Sequence, residues 1–92
     1  MAIGTTVTDE DLLTILRLIG DGDAAGAPMD SDGLSRRLGW TPGDVAARLQ
    51  VARERMLIWG IRTGGTPAPR YSDLEITVQG RRLMAATDPA PT

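Results

Sequence analysis

The first part of the chain carries one apolar face at helical spacing. Its members are Leu12, Ile15, Leu16 and Ile19. Thr8 stands before them as an N-cap, and Asp11 follows three residues later as in a capping box. The pattern predicts a helix that starts at Thr8 and ends near Gly20, because the Asp-Gly-Asp sequence at residues 21–23 is typical of a turn. We expect a loop over residues 21–30.

Two further helices, joined by a tight turn, are predicted next. Asp30 or Ser31 can cap the first, and Gly39 suits the left-handed residue that ends it. Thr41 is a second N-cap, with Pro42 at the first helical position. This helix is predicted over residues 42–56. The face expected to point inward comprises Val45, Leu49, Ala52 and Met56.

The last third of the chain predicts a hairpin and a closing helix. Residues 57–62 read as a strand, residues 63–69 as a Gly- and Pro-containing tip, and residues 70–76 as the return strand. Thr77 then caps a helix that runs to about residue 86. Trp59 alternates with Ile58, so one of the two side chains should face away from the core.

Composition limits the chemistry. A chain of 92 residues with 41% hydrophobic residues favours one small domain. The sequence contains no Cys and no His, which removes disulfides, most zinc sites and most nucleophile–base pairs. The acids of residues 21–32 do not match an EF-hand. We therefore expect no enzymatic activity, no metal or other cofactor and no small-molecule ligand.

The charge is distributed unevenly. Residues 1–32 contain seven acidic residues and one Arg, whereas residues 33–92 contain nine Arg and five acidic residues. The later part is thus basic although the chain carries a net charge of −2. This separation is compatible with a nucleic-acid face. Since there is no signal-peptide pattern and no long apolar run, we expect a cytoplasmic protein without a membrane span.

Together these segments resemble the winged helix-turn-helix superfamily, in the style of the MarR- and PadR-type regulators of bacteria. The matching positions are Leu34, Leu38, Gly39, Thr41, Val45, Leu49 and the segment Ile76-Thr77-Val78-Gln79-Gly80-Arg81-Arg82-Leu83. The resemblance covers residues 8–86 and implies a small α+β fold with a three-helix core, a two-stranded β-hairpin wing and a C-terminal helix. Ser35 stands where Ala is usual, and Met56 where Gly is frequent. The long dimerisation helices of those families have no counterpart.

The resemblance implies a DNA-binding protein, a transcriptional regulator of bacterial or phage type. The helix at 42–56 would enter the major groove of double-stranded DNA, and the wing at 57–76 would contact the backbone or minor groove. Gln50 could pair with adenine, and Ala47 and Val51 could touch a thymine methyl. The implied DNA-binding residues are Arg36, Arg37, Thr41, Ala47, Arg48, Gln50, Val51, Arg55, Arg62 and Arg70.

A second hypothesis explains the same residues without DNA. The arginines of the third helix can form a solvated face, with Asp44 and Arg48 at the i,i+4 spacing of an ion pair. An exposed Trp59 would then mark a protein–protein interaction module that forms a homodimer or binds a protein partner. Salt-sensitive duplex binding separates the two hypotheses.

Overall fold

The computed structural model describes residues 7–65 and 68–87. Over these residues the chain is a small α+β domain with four helices and one two-stranded antiparallel hairpin, compatible with a winged-helix-like layout. The elements are α1 (Asp9–Ala24), α2 (Ser31–Leu38), α3 (Pro42–Glu54), β1 (Ile58–Thr63), β2 (Arg70–Ile76) and α4 (Val78–Thr87). The predicted order of elements is therefore correct.

Helix α1 is longer than predicted. Thr8 and Asp11 form the reciprocal capping box at its start, as expected. The predicted end near Gly20 is wrong, because residues 21–23 continue the helix to Ala24. The chain leaves the helix only at Gly26, which adopts a φ of +72°. A left-handed residue ends a helix decisively, whereas Asp and Gly within it only lower its stability.

The turn between α2 and α3 follows the predicted chemistry. Gly39 has a φ of +69°, and its N–H donates to the carbonyl of Ser35 at 2.9 Å. The Ser35 hydroxyl donates to the carbonyl of Trp40, and Thr41 accepts the N–H of Asp44 at 3.1 Å. Ser35 thus acts within the turn itself, and these bonds set the direction in which α3 leaves it.

The hairpin carries one bulge. Trp59 pairs with Glu75 and Ile61 with Ser72, so Gly60 lies opposite both Asp73 and Leu74. The extra residue belongs to β2, where Asp73 has a φ of +51°. An isolated bridge joins Leu74 to Met29, with the Leu74 N–H donating to the Met29 carbonyl at 3.0 Å. Residues 66 and 67 of the predicted tip lie outside the described residues.

The core lies between the three N-terminal helices and the inner face of the hairpin. Ile58 is buried and Trp59 is 60% exposed, so the strand alternates as predicted. Met56 was expected on the buried face of α3, but this prediction is wrong, since it is 57% exposed with a φ of +61°. The helix ends at Glu54, and helical spacing no longer applies beyond it. The buried residues of the core cluster are Leu12, Ile15, Leu16, Ile19, Leu34, Val45, Ala46, Leu49, Ala52, Leu57, Ile58, Tyr71, Leu74 and Ile76.

Thr77 connects helix α4 to the base of the hairpin by hydrogen bonds. Its hydroxyl donates to the carbonyl of Met56 at 2.7 Å and accepts the N–H of Gly80 at 3.0 Å. Its own N–H donates to the carbonyl of Leu57 at 3.0 Å. Gly80 is buried against Leu57 and Ile76, where a side chain has no room. The Thr-x-x-Gly segment therefore fixes where the hairpin starts.

Candidate nucleic-acid interface

A shallow depression lies between the exposed side of α3 and the inner face of the hairpin. Gln50, Arg53 and Glu54 line it from α3, and Arg62 and Tyr71 from the two strands. Arg62 pairs with Tyr71 across the strands, which places both on the hairpin face that meets α3. Tyr71 is nearly buried and its N–H donates to the hydroxyl of Ser31 at 3.0 Å. The hydrogen bond ties the backbone of Tyr71 to the start of α2.

The polar groups of this depression suit a polyanion with exposed hydrogen-bonding edges. Gln50 offers an amide that can donate and accept, while Arg53 and Arg62 supply two guanidinium groups. All three side chains are exposed. Glu54 contributes one negative charge, so the depression carries an excess of one positive charge. The positive charge is therefore modest and depends on Arg53 and Arg62.

Arg53 is the cation of this depression that is absent from the predicted DNA-binding residues. It lies three positions after Gln50 on α3, and neighbours at that spacing share a helix face. From the sequence alone it counts among the arginines of the third helix that can form a solvated face, because an ideal helical wheel does not show where the hairpin will lie. The hairpin lies beside this part of α3, so Arg53 and Arg62 line one depression.

The other predicted DNA-binding residues at the start and in the middle of α3 differ in how far their side chains are buried. Thr41 is exposed at the start of the helix, where its side chain serves as the N-cap. Ala47 is half-buried. Val51 is half-buried as well and packs against the core cluster. Of the predicted base-contacting residues, Gln50 is therefore the exposed one.

Arg48 is held within the protein. Its side chain is 12% exposed, and its Nη2 lies 2.8 Å from Oδ2 of Asp11. The Nε donates to the same oxygen at 3.0 Å, and Nη1 donates to the carbonyl of Asp44 at 3.0 Å. The guanidinium also lies 4.7 Å from the centroid of the Trp40 ring. These contacts assign Arg48 a positioning role at the junction of α1 and α3.

This environment also changes the acidity of Asp11. Partial desolvation raises the pKa of its carboxyl, but the hydrogen bond from Arg48, that from the Thr8 N–H and the positive charge of Arg48 outweigh it. The net effect is a pKa below the usual range. Asp11 therefore remains ionised and holds Arg48 in place at neutral pH.

The remaining predicted arginines occupy the periphery. Arg36 and Arg37 are exposed in the last turn of α2, and Arg36 lines a separate depression with Asp32 and Ser35. Arg70 is exposed on β2 opposite Thr63. Arg55 forms an exposed ion pair with Asp9, at 3.4 Å between Nη1 and Oδ1. Such surface pairs contribute little energy, so Arg55 can exchange Asp9 for another anion.

The described residues contain no cluster of His, Cys, Asp or Glu that could hold a metal ion. Their helices include none that is long and apolar enough to cross a membrane. Comparisons with protein-family models, with curated proteins and with solved structures gave no match.

Proposed function

We propose that this protein is a cytoplasmic winged helix-turn-helix protein that binds double-stranded DNA and regulates transcription. The observation that carries the proposal is that Gln50, Arg53 and Arg62 line one depression between α3 and the hairpin. In this arrangement α3 enters the major groove and the hairpin serves as the wing. Gln50 reads a base edge, while the two arginines bind phosphates on either side of it.

The exposed arginines outside the depression extend the contact along the backbone. Arg36 and Arg37 lie on the helix that precedes the turn, and Arg70 lies at the tip end of β2, opposite Thr63. With about four to six phosphates neutralised, the logarithm of the binding constant falls with the logarithm of salt concentration at a slope of roughly −3.5 to −5.5. Binding by a single copy is therefore weak and strongly dependent on salt.

The test is a fluorescence-anisotropy titration of a random-sequence duplex at low and moderate salt. The double variant Arg53→Ala/Arg62→Ala removes both cations of the depression. Arg81→Ala/Arg82→Ala removes the same charge from α4, where both side chains are exposed. We expect the first variant to weaken binding at least about tenfold and the control to change it less than about twofold.

Two outcomes contradict this proposal. Equal losses in both double variants would mean that only the overall charge matters, without an organised site. Absence of binding at low salt would exclude the DNA function and favour the second hypothesis, a protein–protein interaction module. A specific observation supports that alternative, since Trp59 and Met56 are 60% and 57% exposed on the surface of the domain. Exposed aromatic and Met side chains are enriched in protein interfaces.

A further inference from the structure

Strand β1 forms one edge of the sheet. In the described residues it pairs with β2, and β2 is also bridged to Met29 on its other side. Within the part of the chain that the structure describes, no segment pairs with the outer edge of β1. An edge strand presents backbone donors and acceptors to any second strand that approaches, and proteins usually protect such edges with Lys, Pro or a bulge.

The first four residues of β1 carry none of these protections. Ile58, Trp59, Gly60 and Ile61 carry no charge, and the first charged side chain is Arg62. The bulge places its extra residue in β2, because Gly60 alone lies opposite Asp73 and Leu74. Since the extra residue is not in β1, the outer edge of this strand keeps a regular spacing of backbone groups.

The side chains on the outer face of β1 form an apolar pair. Trp59 and Ile61 are two residues apart, so they point to the same side of the strand. They are 60% and 55% exposed. Gly60 between them points inward, where a Cβ would lie 2.7 Å from Cδ2 of Leu74. The outer face of β1 therefore carries two large apolar side chains, one from each neighbour of Gly60, and no side chain between them.

We propose that β1 pairs antiparallel with β1 of a second copy of this chain, centred on Gly60. Residues equidistant from the centre then lie opposite one another, so Trp59 faces the partner's Ile61 and Ile61 faces the partner's Trp59. An aromatic residue opposite a β-branched one is a stabilising cross-strand pair. The contact occurs twice because of the twofold symmetry.

A second copy of this chain is a complementary partner for the edge of β1. An antiparallel strand edge is complementary to itself under a twofold axis, in its backbone groups and in its Trp–Ile pairs alike. A strand of six residues with two large side chains gives an interface at or below the small end of specific contacts. The dimer is therefore weak, and dilution dissociates it.

Dimerisation in this mode also places the inner faces of the two hairpins on the same side. The twofold axis is perpendicular to the shared sheet, and such an axis does not exchange the two faces of a sheet. Arg62 lies on the inner face, so both copies present it in the same direction. This relationship holds for the dimer whether or not the protein binds DNA, and the test below contains no nucleic acid.

The register can be tested by disulfide formation, since the chain contains no Cys. A mixture of Trp59→Cys and Ile61→Cys chains places the two thiols directly opposite, while the other Trp–Ile pair of the same dimer remains. A mixture of Ile61→Cys and Thr63→Cys chains separates the thiols by four positions along the strands, about 14 Å, which a disulfide cannot span. We expect the first mixture to cross-link at least about tenfold faster than the second.

Sedimentation equilibrium of the full chain tests the surface independently. Ile61→Lys places a charge on the edge and should weaken self-association at least about tenfold. Val78→Lys changes an exposed apolar residue of α4 by the same substitution and should leave self-association unchanged. Circular dichroism checks that both variants keep the fold of the parent chain.

Any of three results would overturn the proposal. The parent chain could remain monomeric at submillimolar concentration. The two cysteine mixtures could cross-link at equal rates, which would show that the register is not centred on Gly60. Val78→Lys could weaken the dimer as much as Ile61→Lys does, which would place the contact on α4 and not on the strand edge.

Discussion

Arg48 of α3 and Asp11 of α1 form an ion pair at the margin of the core, with 2.8 Å between Nη2 and Oδ2. Asp11 is at the same time a member of the capping box with Thr8, and Arg48 stacks on Trp40 in the turn before α3. One guanidinium therefore connects the first turn of α1, the turn after α2 and the middle of α3. The orientation of α3 depends on a charge pair within the protein.

Replacing Arg48 with Met should lower the free energy of unfolding by about 1–2 kcal/mol, between the values for exposed and buried ion pairs. Met keeps much of the apolar stem and removes the charge, so Asp11 loses its partner. Urea denaturation measures the change. Arg53→Met is the matched control, because Arg53 is exposed, and should stay within about 0.5 kcal/mol of the parent. Equal effects of the two substitutions would contradict a structural role for Arg48.

The same pair predicts a specific acid sensitivity. Asp11 has a folded-state pKa below the usual value for an aspartate, so its contribution to stability is complete above that usual value and disappears as pH falls through the folded-state pKa. The parent chain should therefore be more stable than Asp11→Asn at neutral pH, and the difference should shrink below about pH 4. Urea denaturation of both proteins at several pH values measures it. A difference that does not depend on pH would show that the charge of Asp11 is not responsible.

The contacts that sequence reasoning predicted are local in the chain. Thr8, Thr41 and Thr77 each cap the helix that follows, because a cap depends on the two or three residues next to it. Arg48 could not be predicted in this way, since its partner Asp11 is 37 positions away. The sequence also offered a competing local partner, Asp44, whose carboxylate lies 3.9 Å from Arg48 while Asp11 is closer.

Two other differences between the sequence prediction and the structure concern the ends of α3 and α1. Met56 follows the apolar spacing of α3, but the helix has ended at Glu54 and the side chain points to solvent. Residues 21–23 have turn composition, yet α1 continues through them to its left-handed stop at Gly26. Composition indicates where a helix can end, whereas tertiary packing and the left-handed residue determine where it does end.

Met56 occupies a left-handed conformation that glycine adopts more easily. Its φ is +61° and its side chain is 57% exposed, so Met56→Gly removes strain and loses little packing. We expect the free energy of unfolding to rise by about 0.5–1 kcal/mol, measured by urea denaturation. Met56→Ala keeps the strained conformation and should give no increase. A similar gain from both substitutions would show that the side chain, and not the backbone, is the cause.

Gly80 leaves room for the base of the hairpin, so a methyl group there should be costly. A Cβ at this position would collide with the carbonyl oxygen of Leu57 and lie 2.8 Å from Cγ1 of Ile76. That carbonyl also accepts the N–H of Thr77. Because backbone atoms can move only with the strand, we expect Gly80→Ala to lower the free energy of unfolding by about 2–3 kcal/mol.

The control for this substitution is Gly43→Ala. Gly43 is exposed in the first turn of α3, and its Cβ would meet only the hydroxyl of Thr41 at 4.0 Å. The change should be neutral or raise the free energy of unfolding by up to about 1 kcal/mol, since Ala favours the helix. Urea denaturation compares the two variants. If Gly80→Ala were as well tolerated as Gly43→Ala, α4 would not be closely packed on the hairpin. The hydrogen bonds of Thr77 would then have to hold the base of the hairpin, and with it the position of Arg62 at the depression, without that packing.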